Sequence, residues 1–172
     1  MAGTLTVQNI EGPSSGSDAN TILIPSGQTL YAPGHVLQVV QATYATETVS
    51  GSGSFTDTGL SVSITPTSTS SKVLVMVNIA SSGVVNSGGA DARGNFRIER
   101  GGSTMLGSDM RAYDYGSSGS IMFGAFFLSY LDSPASTSAL TYKLQQQLSA
   151  GSSIRVCEGD NTIAMQAMEV AA

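Results

Sequence analysis

Few side chains in this sequence are of types that do chemistry, and their spacing limits what they can do. His35 is the only histidine, so a histidine metal site has no second imidazole to draw on. A serine nucleophile would need His35 to reach one of 27 serines, with no Gly-x-Ser-x-Gly turn set between a strand and a helix. Gly51-Ser52-Gly53-Ser54 is repetitive and precedes no helix. His35 follows the Pro33-Gly34 turn and reads as a strand-start residue. Paired carboxylates would permit glycoside hydrolysis. The acids (Glu47, Asp57, Asp91, Glu99, Asp109, Asp114, Asp132, Glu158, Asp160 and Glu169) are instead scattered, and most are expected in turns, where Asp suits the backbone. Asp109 and Asp114 lie in no Asp-x-Asp-x-Asp loop of the calcium-binding kind. Cys157 is the only cysteine, which excludes an intrachain disulfide and a cysteine metal site. Strand alternation would put Ile154 and Val156 on one face and Cys157 on the other with Arg155, as a small buried or interfacial thiol. No enzymatic activity, metal or cofactor is expected.

One stretch reads as a contact surface: Met110-Arg111-Ala112-Tyr113-Asp114-Tyr115-Gly116, expected as a loop between Gly- and Ser-rich flanks. Tyr and Arg dominate binding hot spots, and aromatics beside acids also read sugars. Arg111, Tyr113 and Tyr115 are therefore candidates for contact with a sister subunit or a host surface glycan. Subunit packing is the favoured reading.

The elements that must position these residues are strands. Alternation or apolar runs mark His35–Tyr44, Gly59–Thr65, Lys72–Ala80, Asn95–Arg100, residues 121–131, Ser153–Cys157 and Thr162–Val170. Ala139–Leu148 fits a helix face through Leu140, Leu144 and Leu148, but its neighbours and its length favour a strand. Ser81–Gly94 is expected to be a long Gly-rich loop. The run 72–80 reads as a doubly covered strand and 121–131 as a buried one, and together these two-sided apolar strands leave more apolar face than one small sandwich needs. Residues 121–131 fall well short of the ~20 that a spanning helix needs, so no membrane insertion is expected. About eight to ten strands divided by turns predict an all-β, antiparallel, jelly-roll-like β-sandwich.

Composition supports a packed chain. Gly, Ser and Thr together supply 63 of 172 residues (20, 27 and 16), yet 41% of the chain is hydrophobic and only 11% charged, the reverse of a disordered balance. The net charge is −5, and no Lys or Arg precedes Lys72. That leaves no basic footprint for nucleic acid and no basic n-region for a signal peptide. Residues 1–34 stand apart as an arm, and 35–172 form the head. The arm has two short strands, Thr4–Ile10 and Thr21–Ile24, too small to stand alone in water. Its apolar residues Leu5, Val7, Ile10, Ile22 and Ile24 are the candidate attachment contacts.

The arm carries a resemblance. Leu5–Asn9 (Leu-Thr-Val-Gln-Asn), Asn20–Leu30 (Asn-x-Ile-x-x-Pro-Ser-Gly-x-Thr-Leu) and Gly34–Gln41 resemble the opening of small virion proteins of tailed phages infecting marine bacteria and cyanobacteria. Phe55–Asn78, with its Thr-Gly-Leu strand and Thr-Pro-x-Ser-Thr-Ser-Ser-Lys turn, and the ending IAMQAMEV are similar to the same group. The likeness covers most of the chain and is weakest over 81–120. Such proteins go by the names tail fibre, head fibre or capsid decoration. The resemblance implies a homotrimer with a jelly-roll head, localised to the virion, docked on capsid or tail proteins through its arm. A fibre-tip role, binding a host surface glycan, is the alternative it leaves open.

Overall fold

A computed structural model of the chain describes residues 10–17, 22, 24–26, 32–85, 92–112 and 121–172. The contacts divide the chain into two units, Met1–Ala32 and Pro33–Ala172. Among the described residues the strands lie in the second unit: β1 (Val36–Tyr44), β2 (Thr48–Ser50), β3 (Thr56–Ile64), β4 (Lys72–Val85), β5 (Ala92–Arg100), β6 (Ser103–Ala112), β7 (Ile121–Asp132), β8 (Leu140–Ala150), β9 (Ser153–Val156) and β10 (Ile163–Val170). A 3-10 turn, Glu158–Asp160, lies between β9 and β10.

All the pairings are antiparallel. In one sheet β10 and β9 pair in succession with the same strand, β4, and β1 and β2 pair with β10 and β9 in turn. Each in-line couple is one interrupted strand. β7 covers the other edge of β4, and the second sheet runs β3-β8-β5-β6. Counted along the chain, eight strands then lie in the orders 1-8-3-6 and 2-7-4-5, the double Greek key of a jelly roll.

The interruptions line up across the sheet. β1 and β2 break at residues 45–47, β9 and β10 at 157–162, and the β4–β7 register shifts between Ile79 and Ser82. Cys157 N donates to Ser81 O over 3.0 Å at this line.

The core follows from the alternation. Val73, Val75, Val77, Ile79, Ile163, Met165 and Ala167 point inward from one sheet, and Leu60, Val62, Ile64, Phe96, Ile98, Tyr142 and Leu144 from the other. The segment 139–148 is strand, within β8. Its helical spacing loses because a strand there has ladder partners on both sides, Thr56–Ile64 and Ala92–Arg100.

Three expectations about this unit are corrected. Residues 81–94 are not one long loop, because β4 runs on to Val85 and β5 begins at Ala92. Gly94 lets the side chain of Ile154 approach the β5 backbone, where a Cβ would meet Ile154 Cδ1 at 2.4 Å. Met110, Arg111 and Ala112 belong to β6 rather than to a loop, paired with Gly94, Arg93 and Ala92. The apolar strands β4 and β7 are covered on one face only: Leu74 and Met76 are half-buried, and Phe123, Phe127 and Leu131 are exposed.

Candidate functional site

The two outer faces of the sandwich differ in chemistry. The outer face of β3-β8-β5-β6 is polar and internally paired. Lys143 Nζ donates to Asp57 Oδ2 (2.8 Å) and Gln145 Nε2 to Asp57 Oδ1 (2.6 Å). Those bonds, led by the one from Lys143, hold the Asp57 carboxyl below its ordinary range. Arg97 Nε donates to Gln145 Oε1 (2.8 Å), its Nη1 donates to Thr104 Oγ1 (2.7 Å), and its guanidinium stacks 4.0 Å over the Phe55 ring. Asn95 Nδ2 donates to Gln147 Oε1 (2.9 Å). These contacts leave a solvated, hydrogen-bonded ladder.

The opposite outer face carries no charge over three successive rows. Pairing aligns Val39, Met168, Leu74 and Leu131 in one row across β1, β10, β4 and β7. The next row is Gln41, Gln166, Met76 and Ser129, and the third is Thr43, Ala164, Asn78 and Phe127. Paired residues project from the same side of a sheet, so each row is one strip of surface. Val39 is 55% exposed, Phe127 63% and Leu131 48%. The row of amides is tied by Gln166 Nε2 donating to Gln41 Oε1 over 3.1 Å. Charge returns only at the margins. Lys72 closes one end, and at the other Arg155 Nη1 lies 3.2 Å from both Glu47 Oε1 and Glu158 Oε2. An uncharged apolar face of this extent is the mark of an interaction surface.

The titratable groups singled out above serve the fold. The expectation that the acids sit mostly in turns is corrected for Asp57, Glu99, Asp109, Asp132 and Glu169, which lie in strands. Glu99, Asp132 and Glu169 are also buried. Glu169 accepts from Gln38 Nε2 (2.6 Å) and from Thr67 N and Oγ1 (both 2.7 Å), fastening the β3–β4 turn. Asp132 Oδ2 accepts from the Tyr142 hydroxyl (2.7 Å) and lies 2.8 Å from Arg100 Nε. Glu99 Oε1 accepts from Gly102 N, closing the β5–β6 hairpin. A carboxylate buried this way satisfies backbone and side-chain donors that would otherwise be orphaned.

Cys157 is a buried thiol, as expected, but the face that alternation assigned to it is corrected. It does not continue the alternation of β9 but turns at φ 59, which swings its side chain inward to 1% exposure. Its Sγ donates to Tyr44 O over 3.4 Å, and burial pushes the thiol up, so it is a packed and unreactive group. His35 is exposed just ahead of β1. Among the described residues no three His, Cys, Asp or Glu side chains gather as a metal site, and no helix is long and apolar enough to cross a membrane.

Of the candidate attachment residues, Ile10, Ile22 and Ile24 are exposed, at 66%, 52% and 45%. Leu5 and Val7 lie outside the described residues, as do Tyr113, Tyr115 and the Arg111 side chain; Arg111 itself stands opposite Arg93 in β6. The uncharged face was only half-signalled in the sequence. The two-faced apolar strands β4 and β7 were visible, but their alignment with Val39 on β1 and Met168 on β10 depends on register.

The fold and this surface define a jelly-roll β-sandwich with one polar and one apolar outer face. No protein-family model matches the chain, and no curated protein matches it in sequence.

Proposed function

We propose that the chain is a non-enzymatic structural protein of a tailed-phage virion. It stands on the particle surface as a capsid decoration or short fibre component, assembled as a homotrimer and docked to other virion proteins through residues 1–34. The observation that carries this reading is the uncharged apolar face over β1, β10, β4 and β7, which a solitary sandwich has no use for. It is joined by the resemblance of the arm and of Phe55–Asn78 to small phage virion proteins. A jelly roll with no gathered metal-binding set among its described residues fits a role in assembly.

The test is to purify particles, detect the chain by mass spectrometry and locate it with gold-labelled antibody. Regular labelling of head or tail is expected. Label on the tail tip, lost when purified host glycan is added, would instead favour the receptor-binding alternative. Absence from purified particles would overturn the virion reading.

A further inference from the structure

We infer that the uncharged face formed by β1, β10, β4 and β7 is covered by the same face of sister copies of this chain. The inference rests on the proposed self-association and names the surface that performs it. Three observations select this occupant.

The first is charge. The three rows from Val39 to Phe127 hold no ionisable side chain. A charged partner surface laid on them would lose its hydration and gain no ion pair, which is costly. The second outer face of this chain is such a surface: it displays Asp57, Lys143 and Arg97. Of the sheet faces the chain offers, only the β1-β10-β4-β7 face meets itself without burying a charge.

The second is the pattern within the face. An apolar row (Val39, Met168, Leu74, Leu131) and Phe127 flank a row of Gln41, Gln166, Met76 and Ser129. Amides and hydroxyls both donate and accept, so this middle row can bond to its own copy in either direction. A contact in which one patch meets its own copy needs such self-complementarity.

The third is area. Four strands at about 4.8 Å spacing and about 25–30 Å of common length give roughly 500 Å² per copy. Two such faces pressed together would bury about 1,000 Å² in total, the size at which a specific interface begins. The margins agree with this extent: Lys72 bounds one end, and Arg155 with its two glutamates bounds the other.

The experiment uses the full chain. Sedimentation equilibrium at micromolar concentration is expected to give a mass of two or more 17.6 kDa chains. Val39→Glu/Phe127→Glu places charge at two positions already more than half exposed in the single chain. It is expected to raise the concentration for half-dissociation by at least about 100-fold, with the β circular-dichroism spectrum kept. Ser129→Cys gives a second reading that does not depend on that variant folding. A short bismaleimide is expected to link Ser129→Cys chains into dimers, and to leave Ser63→Cys, on the other outer face, unlinked. Wild-type monomer at micromolar concentration, an unchanged mass for the double variant, or equal cross-linking at both sites would each overturn the inference. A mass of two chains that the double variant dissociates would overturn the trimer and keep the face. A particle-free chain that assembles this way would uphold the face even if the virion reading failed.

Discussion

The ring of Tyr44 lies against the backbone of Gly59, so close that a Cβ built on the glycine would meet the ring Cζ at 2.4 Å. Tyr44 ends β1 in one sheet, and Gly59 bends β3 in the other at φ +101, a conformation that side chains resist. The Tyr44 hydroxyl meets Thr48 Oγ1 at 3.0 Å, and Thr48 in turn donates to Thr58 O at 2.8 Å. The contact thus ties the two sheets where the β1/β2 strand breaks. Gly59→Ala should cost about 2–4 kcal/mol through backbone strain and overpacking together. Gly53→Ala, with no atom within 4 Å of the added Cβ, should leave the melting temperature within a degree or two, about the effect of an ordinary surface change. Equal melting of the two variants would refute this account.

Glu169 makes stability depend on acid. Burial opposes its ionisation, but the hydrogen bonds from Gln38 and Thr67 together outweigh burial and hold its carboxyl below the ordinary range. The folded value is depressed, so the stabilisation is complete above the unfolded carboxylate value of about 4.3 and is lost as pH falls through the folded one. Glu169→Gln should melt lower than wild type at pH 7, by about 1–3 kcal/mol. The gap should close as the pH drops below the carboxylate range. A gap that stays constant with pH would remove the carboxylate from this role.

Tyr142 and Asp132 pin β8 to the end of β7. Burial first, and the hydrogen bond to Asp132 second, push the Tyr142 hydroxyl far above its ordinary value, so it remains a donor throughout the physiological range. Tyr142→Phe should lose about 1–3 kcal/mol in urea unfolding with an unchanged slope. Asp132→Ala should lose more, because it leaves both the tyrosine hydroxyl and Arg100 without their acceptor. If the two variants unfold at the same urea concentration, Asp132 is not the centre of the group.

Deletion of residues 1–32 should leave the jelly roll folded. The head closes on itself at its start, where Gly34 N donates to Ala171 O (2.7 Å) and Ala171 N donates to His35 O (2.8 Å). A cooperative melt close to that of the full chain is expected, together with loss of incorporation into particles. Incorporation at normal copy number would show that the arm is not the anchor.

Replacing Tyr113 and Tyr115 together by Ala separates subunit packing from host contact. Packing is expected, with a lowered melting temperature and about 3–5 kcal/mol lost for each buried aromatic. Normal melting with poor adsorption to the host would favour the fibre-tip role instead.

The sequence by itself determined the fold class, because alternation and turn residues are local properties. Leu60, Val62 and Ile64 had to share a face, and Pro66 had to end their strand. Even the ambiguous 139–148 run resolved as strand from its neighbours. The continuation of β4 to Val85 escaped notice because Ser81, Ser82 and Gly83 are loop-forming types, held as strand only by ladder partners in β7 and β9. The buried acids were equally hidden, since burial depends on which turn folds over a strand end: Glu169 is covered by the turn at Thr67, 102 residues away in the chain. The alignment of the uncharged face was decided by tertiary structure. Leu131, Leu74, Met168 and Val39 come from four distant segments, and a shift of one residue in any register would have turned that strand's side chain into the core. Alternation fixes which residues of one strand point together, and only sheet pairing fixes which strands line up.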